Sequence, residues 1–236
     1  MAYLKIGTVD PNYPAVSNPC NGDTVHVSSL FSLVGRTALI TGGNGGIGGY
    51  MARGMAEAGA DIIIFKIPGE QSTFPDELGK QTGRKVHVYE CDLGDSEAIR
   101  AAVAKVLEDG LTVDILCNVA GISGEFVQVL DENDDHRGKV AQIHYHAPYV
   151  LSQLIGHHMA SRQKGGKIIN ISSIAAFRPQ TRFSTYGPMK AALSHLTETL
   201  ATEFARYNIQ VNDLVPGCVT DPSLFLDTES STADAL

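Results

Sequence analysis

Tyr186 and Lys190 stand four residues apart at the start of Thr185 to Tyr207, a stretch whose Ala, Leu and Glu content favours helix. Residues so spaced share one helix face. Pro188 falls in the first turn, where the backbone N–H groups have no partner inside the helix and a proline is tolerated. An ammonium beside a phenol favours the phenolate, which would bring a group that ordinarily titrates near about 10 toward use at neutral pH. Ser173 lies thirteen residues before the tyrosine, just beyond the apolar run Lys167 to Ile171. A hydroxyl at a strand's C-terminal edge is where open α/β sheets meet their ligands.

A second group of residues suits anion binding. Thr41-Gly42-Gly43-Asn44-Gly45-Gly46-Ile47-Gly48 lies between the apolar run Thr37 to Ile40 and the Ala-rich stretch Tyr50 to Ala58. A phosphate-binding turn asks for glycine at three places: to leave the strand tightly, to let backbone approach a pyrophosphate, and to let helix pack on strand. Gly42, Gly46 and Gly48 fit those roles. The N–H groups and positive dipole end of the following helix then face the anion.

The glycine turn, Asn118-Val119-Ala120-Gly121, Ser173, Tyr186-x-x-x-Lys190 and Pro216-Gly217 follow one another in the order and approximate spacing of the short-chain dehydrogenase/reductase family. The chain resembles that family from about Phe31 to Val219. The resemblance implies an α/β fold with a doubly wound parallel sheet (Rossmann-like), a nicotinamide cofactor, and hydride transfer between that cofactor and a carbonyl or alcohol. It implies Tyr186 as general acid in reduction or base in oxidation, Lys190 as the group that lowers the tyrosine's pKa and holds the nicotinamide ribose, and Ser173 as donor to the carbonyl oxygen. The cofactor contacts it implies are Gly42, Asn44, Gly46, Ile47 and Gly48 in the turn, Asp92 and Leu93 at the adenine, Asn118, Ala120 and Gly121 along the cleft, and Pro216, Gly217 and the backbone of Val219 at the nicotinamide. Asp92 could instead cap the helix that Ser96 opens. Asn118 would also steady the central strand, and Val119 stands where the family often has a second Asn. Ser172 is expected to be structural.

The end of the second strand bears on cofactor type, because an acid there accepts the ribose hydroxyls of NAD and repels the 2′-phosphate of NADP. The position falls on Lys66, a cation that favours NADP(H) over NAD(H) unless it is only a solvated strand-end charge.

Two features depart from the family pattern. His144 occupies the position of the usual catalytic Asn. A neutral imidazole both donates and accepts a hydrogen bond, so His144 could hold the proton relay to Lys190; it could equally be a packed or surface residue. The second departure is the ending: nineteen residues follow Gly217, Asp221, Asp227, Glu229 and Asp234 among them, without Lys or Arg. The usual last strand is expected to be missing, leaving six strands and an edge in need of protection. Losing it should leave a homodimer through the two long helices.

The 236 residues, with 43% hydrophobic and 19% charged, can bury one sizeable core. An extended arm is expected over 1–30, rich in Pro, Asn, Gly and Ser, and one dehydrogenase/reductase domain over 31–236. A net charge of −8 without basic runs argues against nucleic acid or an anionic membrane surface as partner. No run of eighteen apolar residues and no signal-peptide pattern occurs, so a cytoplasmic protein is expected. Cys20, Cys91, Cys117 and Cys218 lack paired ligand spacing and His157 and His158 are adjacent on a helix, so no disulfide and no metal site is expected.

Strands are predicted near Thr37 to Thr41, Asp61 to Lys66, Lys85 to Tyr89, Asp114 to Val119, Lys167 to Ile171 and Gln210 to Leu214, with helices near Ile47 to Ala58, Pro75 to Lys80, Ser96 to Glu108, Asp134 to Arg162 and Thr185 to Tyr207. Such alternation gives a parallel sheet covered on both faces. The expected activity is an NAD(P)(H)-dependent oxidoreductase that interconverts a ketone or aldehyde and an alcohol on a small or medium organic substrate. Ser123, Glu125, Tyr145, Ile174 and Phe177 are the candidate pocket lining. The competing reading, which His144 and the short ending favour, is a cofactor- or ligand-binding relative with a non-redox or regulatory role.

Overall fold

The computed structural model describes residues 30–122, 127–217 and 219. The arm expected over 1–30, apart from Leu30, lies outside the described residues, as do Ser123, Glu125, Cys20, Cys218 and the acidic stretch after Val219. Among the described residues, six strands form one parallel sheet: β1 (Thr37–Thr41), β2 (Asp61–Lys66), β3 (Val86–Glu90), β4 (Ile115–Asn118), β5 (Gly166–Ile171) and β6 (Ile209–Leu214), in the order β3-β2-β1-β4-β5-β6. The order reverses between β1 and β4. Ligands of open α/β sheets bind beyond the strand ends at such a reversal, and here the glycine turn follows β1 while Val119-Ala120-Gly121 follows β4.

The strands are apolar without interruption because both faces are covered. Alternate side chains of β1 and β2 enter different cores: Leu39, Ile63 and Phe65 join Ile99, Leu151, Ile155 and Leu193, whereas Ala38, Ile40, Ile62 and Ile64 join Ala52, Ala56 and Leu78. The first core lies under α3 (Ser96–Glu108), α5 (Ala147–Arg162) and α6 (Tyr186–Phe204). The second lies under α1 (Gly46–Glu57) and α2 (Phe74–Thr82). The chain therefore crosses to the other face after β3, which is what creates the cleft at the reversal. Among the described residues, no helix is long and apolar enough to cross a membrane.

One predicted helix is not continuous. Asp134 to Arg162 divides into α4 (Asp134–Ala141), a π-helical turn over Gln142–His146, and α5. Pro148 has no N–H and its ring would crowd the carbonyl of His144 in an unbroken α-helix. The widened turn removes that conflict, with the Ala147 N–H reaching back five residues to the Gln142 carbonyl. His144, in mid-turn, is thereby buried against the strand ends.

Candidate active site

The glycine turn is built tightly enough to require its glycines at two places. Gly42 has φ +65°, and a Cβ there would sit 3.1 Å from the Cα of Ala120. A Cβ on Gly48 would lie 2.2 Å from the carbonyl oxygen of Gly42, so any side chain would force α1 away from β1. Thr41 closes the other side: its hydroxyl accepts from the N–H groups of Val119 and Ala120, each at 3.0 Å. Gly45 stands at the N-cap of α1 without a side-chain cap, and the first turn carries no acid. Those uncapped N–H groups suit a phosphate-bearing ligand such as the pyrophosphate of a dinucleotide.

Other residues assigned to the cofactor prove to be engaged elsewhere. Lys66 is not a free cation: its Nζ donates to the carbonyl of Glu70 at 2.6 Å and to Oε1 of Glu90 at 3.0 Å. The Gly69 N–H and Lys66 together hold the Glu90 carboxyl below its ordinary range. A second acid stands at the turn itself, since Asn44 Nδ2 donates to Oε2 of Glu70 at 3.1 Å. Sequence reading missed Glu70, which lies four residues past the strand on a loop that periodicity does not place. Asn118 is buried with its amide nitrogen 2.8 Å from Oδ1 of Asn170 and 3.3 Å from Oγ of Ser152. It steadies the central strands, and its Oδ1 is buried without a partner among the described residues. Asp92 is exposed and accepts from the Gly94 N–H at 2.8 Å, while the cap of α3 is Asp95. The capping alternative for Asp92 is thereby excluded. Leu93 is half-buried, Pro216 accepts from the Ile174 N–H at 3.1 Å, and Gly217 and Val219 are exposed.

The remaining candidates converge where β4 and β5 end. Ser173 caps the short 3₁₀ turn Ile174–Ala176, its Oγ accepting from the Ala175 N–H at 3.2 Å, and it hydrogen-bonds the Tyr186 phenol. Lys190, one turn on along α6, donates to the carbonyl of Ile171 at 2.6 Å and lies 5.6 Å from the centroid of the Tyr186 ring. His144 meets that ring edge-on at 5.1 Å. Its Nε2 lies 2.8 Å from the carbonyl of Ile122 and 3.2 Å from the Ile122 N–H, so that ring nitrogen is committed to one residue's backbone. Nδ1 is buried without a partner among the described residues. A Cβ on Gly121 would come within 2.5 Å of the imidazole, so the glycine is what allows histidine at this position.

The ionisation of these groups follows their burial. Burial pushes the Tyr186 phenol above its usual value, and the opposing influence is the Ser173 hydrogen bond. Burial drives Lys190 down to about 8, with Asp213 opposing. Burial, reinforced by the Lys190 charge, lowers His144 to about 4, so the imidazole is neutral at physiological pH. Beside Tyr186, a cavity of about 390 Å³ is lined by Ala175, Phe177, Phe183, Ser184 and Gly187. Phe177 is thus a lining residue, whereas Tyr145 packs on the core beside His146 and Tyr149.

The short chain dehydrogenase family profile matches residues 36–229. The chain belongs to the short-chain dehydrogenase family. It is 35% identical over 209 residues to a 2-dehydro-3-deoxy-D-gluconate 5-dehydrogenase of Pseudoalteromonas atlantica, covering 87% of this chain and 81% of that one. Among solved structures it resembles a gluconate 5-dehydrogenase from Burkholderia cenocepacia in complex with NADP and tartrate, at 32% identity and TM-score 0.76, covering 81% and 74%. It also resembles an NAD⁺-bound xylitol dehydrogenase, at 30% identity and TM-score 0.72, covering 78% and 70%. As a short-chain dehydrogenase, the protein is an NAD(P)-dependent oxidoreductase that interconverts a carbonyl and an alcohol. These relatives give no support to the non-redox alternative.

Proposed function

We propose that this short-chain dehydrogenase interconverts a keto sugar acid and the corresponding hydroxy acid, with Tyr186 as the proton donor in reduction and acceptor in oxidation. The observation that carries the reading is the convergence of Ser173, Tyr186 and Lys190 at one strand edge beside an apolar cavity. Relatives named for gluconate derivatives support the substrate class. So do Arg178 and Arg182, exposed in the same segment as the cavity lining, because guanidinium forks match a carboxylate. Bound nicotinamide supplies or accepts the hydride. Ser173 would donate to the reacting oxygen as charge develops there, Lys190 would hold a ribose hydroxyl, and His144 would support the proton relay through its buried, unpartnered Nδ1.

Lys66 was the cation favouring NADP(H); tied to Glu90 and with Glu70 at the turn, it leaves a net negative charge where a 2′-phosphate would lie. The preferred cofactor in this reading is therefore NAD(H). The assembly is a homodimer through the outer faces of α5 and α6. Mixing the protein with a panel of 5-keto sugar acids, polyol-derived ketoses and simple ketones should consume NADH fastest with the sugar acids and faster than NADPH. Faster turnover of uncharged ketones would overturn the substrate class, and faster turnover with NADPH the cofactor choice.

A further inference from the structure

An acid interrupts β6, Ile209–Leu214, whose fifth residue is Asp213. Its Oδ1 accepts from the Ser172 N–H at 3.2 Å. Its Oδ2 accepts from the Ser172 hydroxyl at 2.8 Å and from the Ser194 hydroxyl at 2.6 Å. Ser172 immediately precedes Ser173, and Ser194 lies one turn beyond Lys190 on α6. The carboxylate thus bridges the strand that carries the serine and the helix that carries the tyrosine and lysine.

We propose that Asp213 is a positioning residue for the reaction: it fixes the backbone on which Ser173 stands and provides the counter-charge that keeps the buried Lys190 an ammonium. The inference rests on the role given to Lys190 above. Lys190 is 4% exposed, and an ion so placed is costly unless an opposite charge faces it. From the π-helical turn it faces His144, which carries no charge at neutral pH; from its own helix it faces Tyr186, an uncharged phenol; from β5 it meets the Ile171 carbonyl. Asp213 on β6 is the carboxylate that acts on it. Three hydrogen bonds fix that carboxylate in place between the end of β5 and α6. The consequence is a site whose serine and lysine are set by one group that touches neither cofactor nor substrate.

The test reads Lys190 directly in the ligand-free protein. Lysine side chains labelled with ¹³C at Cε are titrated by NMR, with Lys190→Arg identifying the signal. The wild-type midpoint is expected at about 8. In Asp213→Asn, which keeps size and shape, it should fall by about one unit or more. Ser194→Ala keeps the charge but releases the carboxylate from α6, so the midpoint should fall, by less than in Asp213→Asn. An unchanged midpoint in Asp213→Asn overturns the proposal, and where that variant does not fold, an unchanged midpoint in Ser194→Ala does so. Shifted midpoints in a protein that turns over no carbonyl would uphold the role of Asp213 and refute the catalytic reading. Turnover with unshifted midpoints would do the reverse.

Discussion

His144 shows how one residue can fit a site and tax the fold at the same time. Its ring is buried between Gly121 and Tyr186, with burial and the Lys190 charge both opposing protonation. A histidine held at about 4 in the folded state and near 6.5 when unfolded binds its proton preferentially in the unfolded chain. The stability is therefore present in full above about 6.5 and is lost as pH falls through that window toward 4, by about 3 kcal/mol. Urea unfolding at pH 7 and pH 4.5 should show most of this loss in the wild type and remove it in His144→Asn. An equal loss in the variant would mean that other groups carry it. The Tyr186, Lys190 and Ser173 grouping was legible from spacing, because one helical turn fixes which side chains are neighbours. Their ionisation was not, since burial dominates it and burial depends on segments distant in sequence.

The elements were legible wherever periodicity and glycine act locally. All six strands lie within a residue or two of their expected bounds, and α3 coincides with its prediction at both ends. The π-helical turn was not foreseen: Pro148 was visible, but whether the chain breaks, kinks or widens there depends on what the turn packs against, namely Gly121 and α6. Below that widening, α5 presents Tyr149, Gln153 and His157 to solvent at one-turn spacing, with Tyr149 44% exposed. α6 presents His195, Glu198, Thr199 and Thr202. An aromatic on an otherwise polar helix face suits a rim or core contact between copies. Light scattering should therefore give a dimer, and Gln153→Arg should shift it toward monomer. A monomeric wild type would contradict the assignment of this face.

At the scale of the whole molecule, the sheet order explains why residues far apart in sequence meet. The crossing of the chain to the opposite face after β3 opens a cleft between the glycine turn and the end of β4, and β5 and α6 deliver Ser173 and Tyr186 to its edge. Asp213 became visible as part of the site only once β6 was seen beside β5, because its partners Ser172 and Ser194 come from two other elements. The surroundings of Lys66 were hidden for the same reason: its partner Glu90 lies on the neighbouring strand in register with it, a pairing that only the assembled sheet reveals. The account as a whole depends on proton transfer by one phenol at the mouth of that cleft. Tyr186→Phe keeps the ring that packs against His144 and Phe183 and removes only the hydroxyl. With NADH and the best sugar acid of the panel, the single-turnover loss of absorbance at the reduced nicotinamide's wavelength should slow by about 100-fold or more, while NADH affinity measured by fluorescence stays within about twofold. A variant that transfers hydride at the wild-type rate would contradict the central claim.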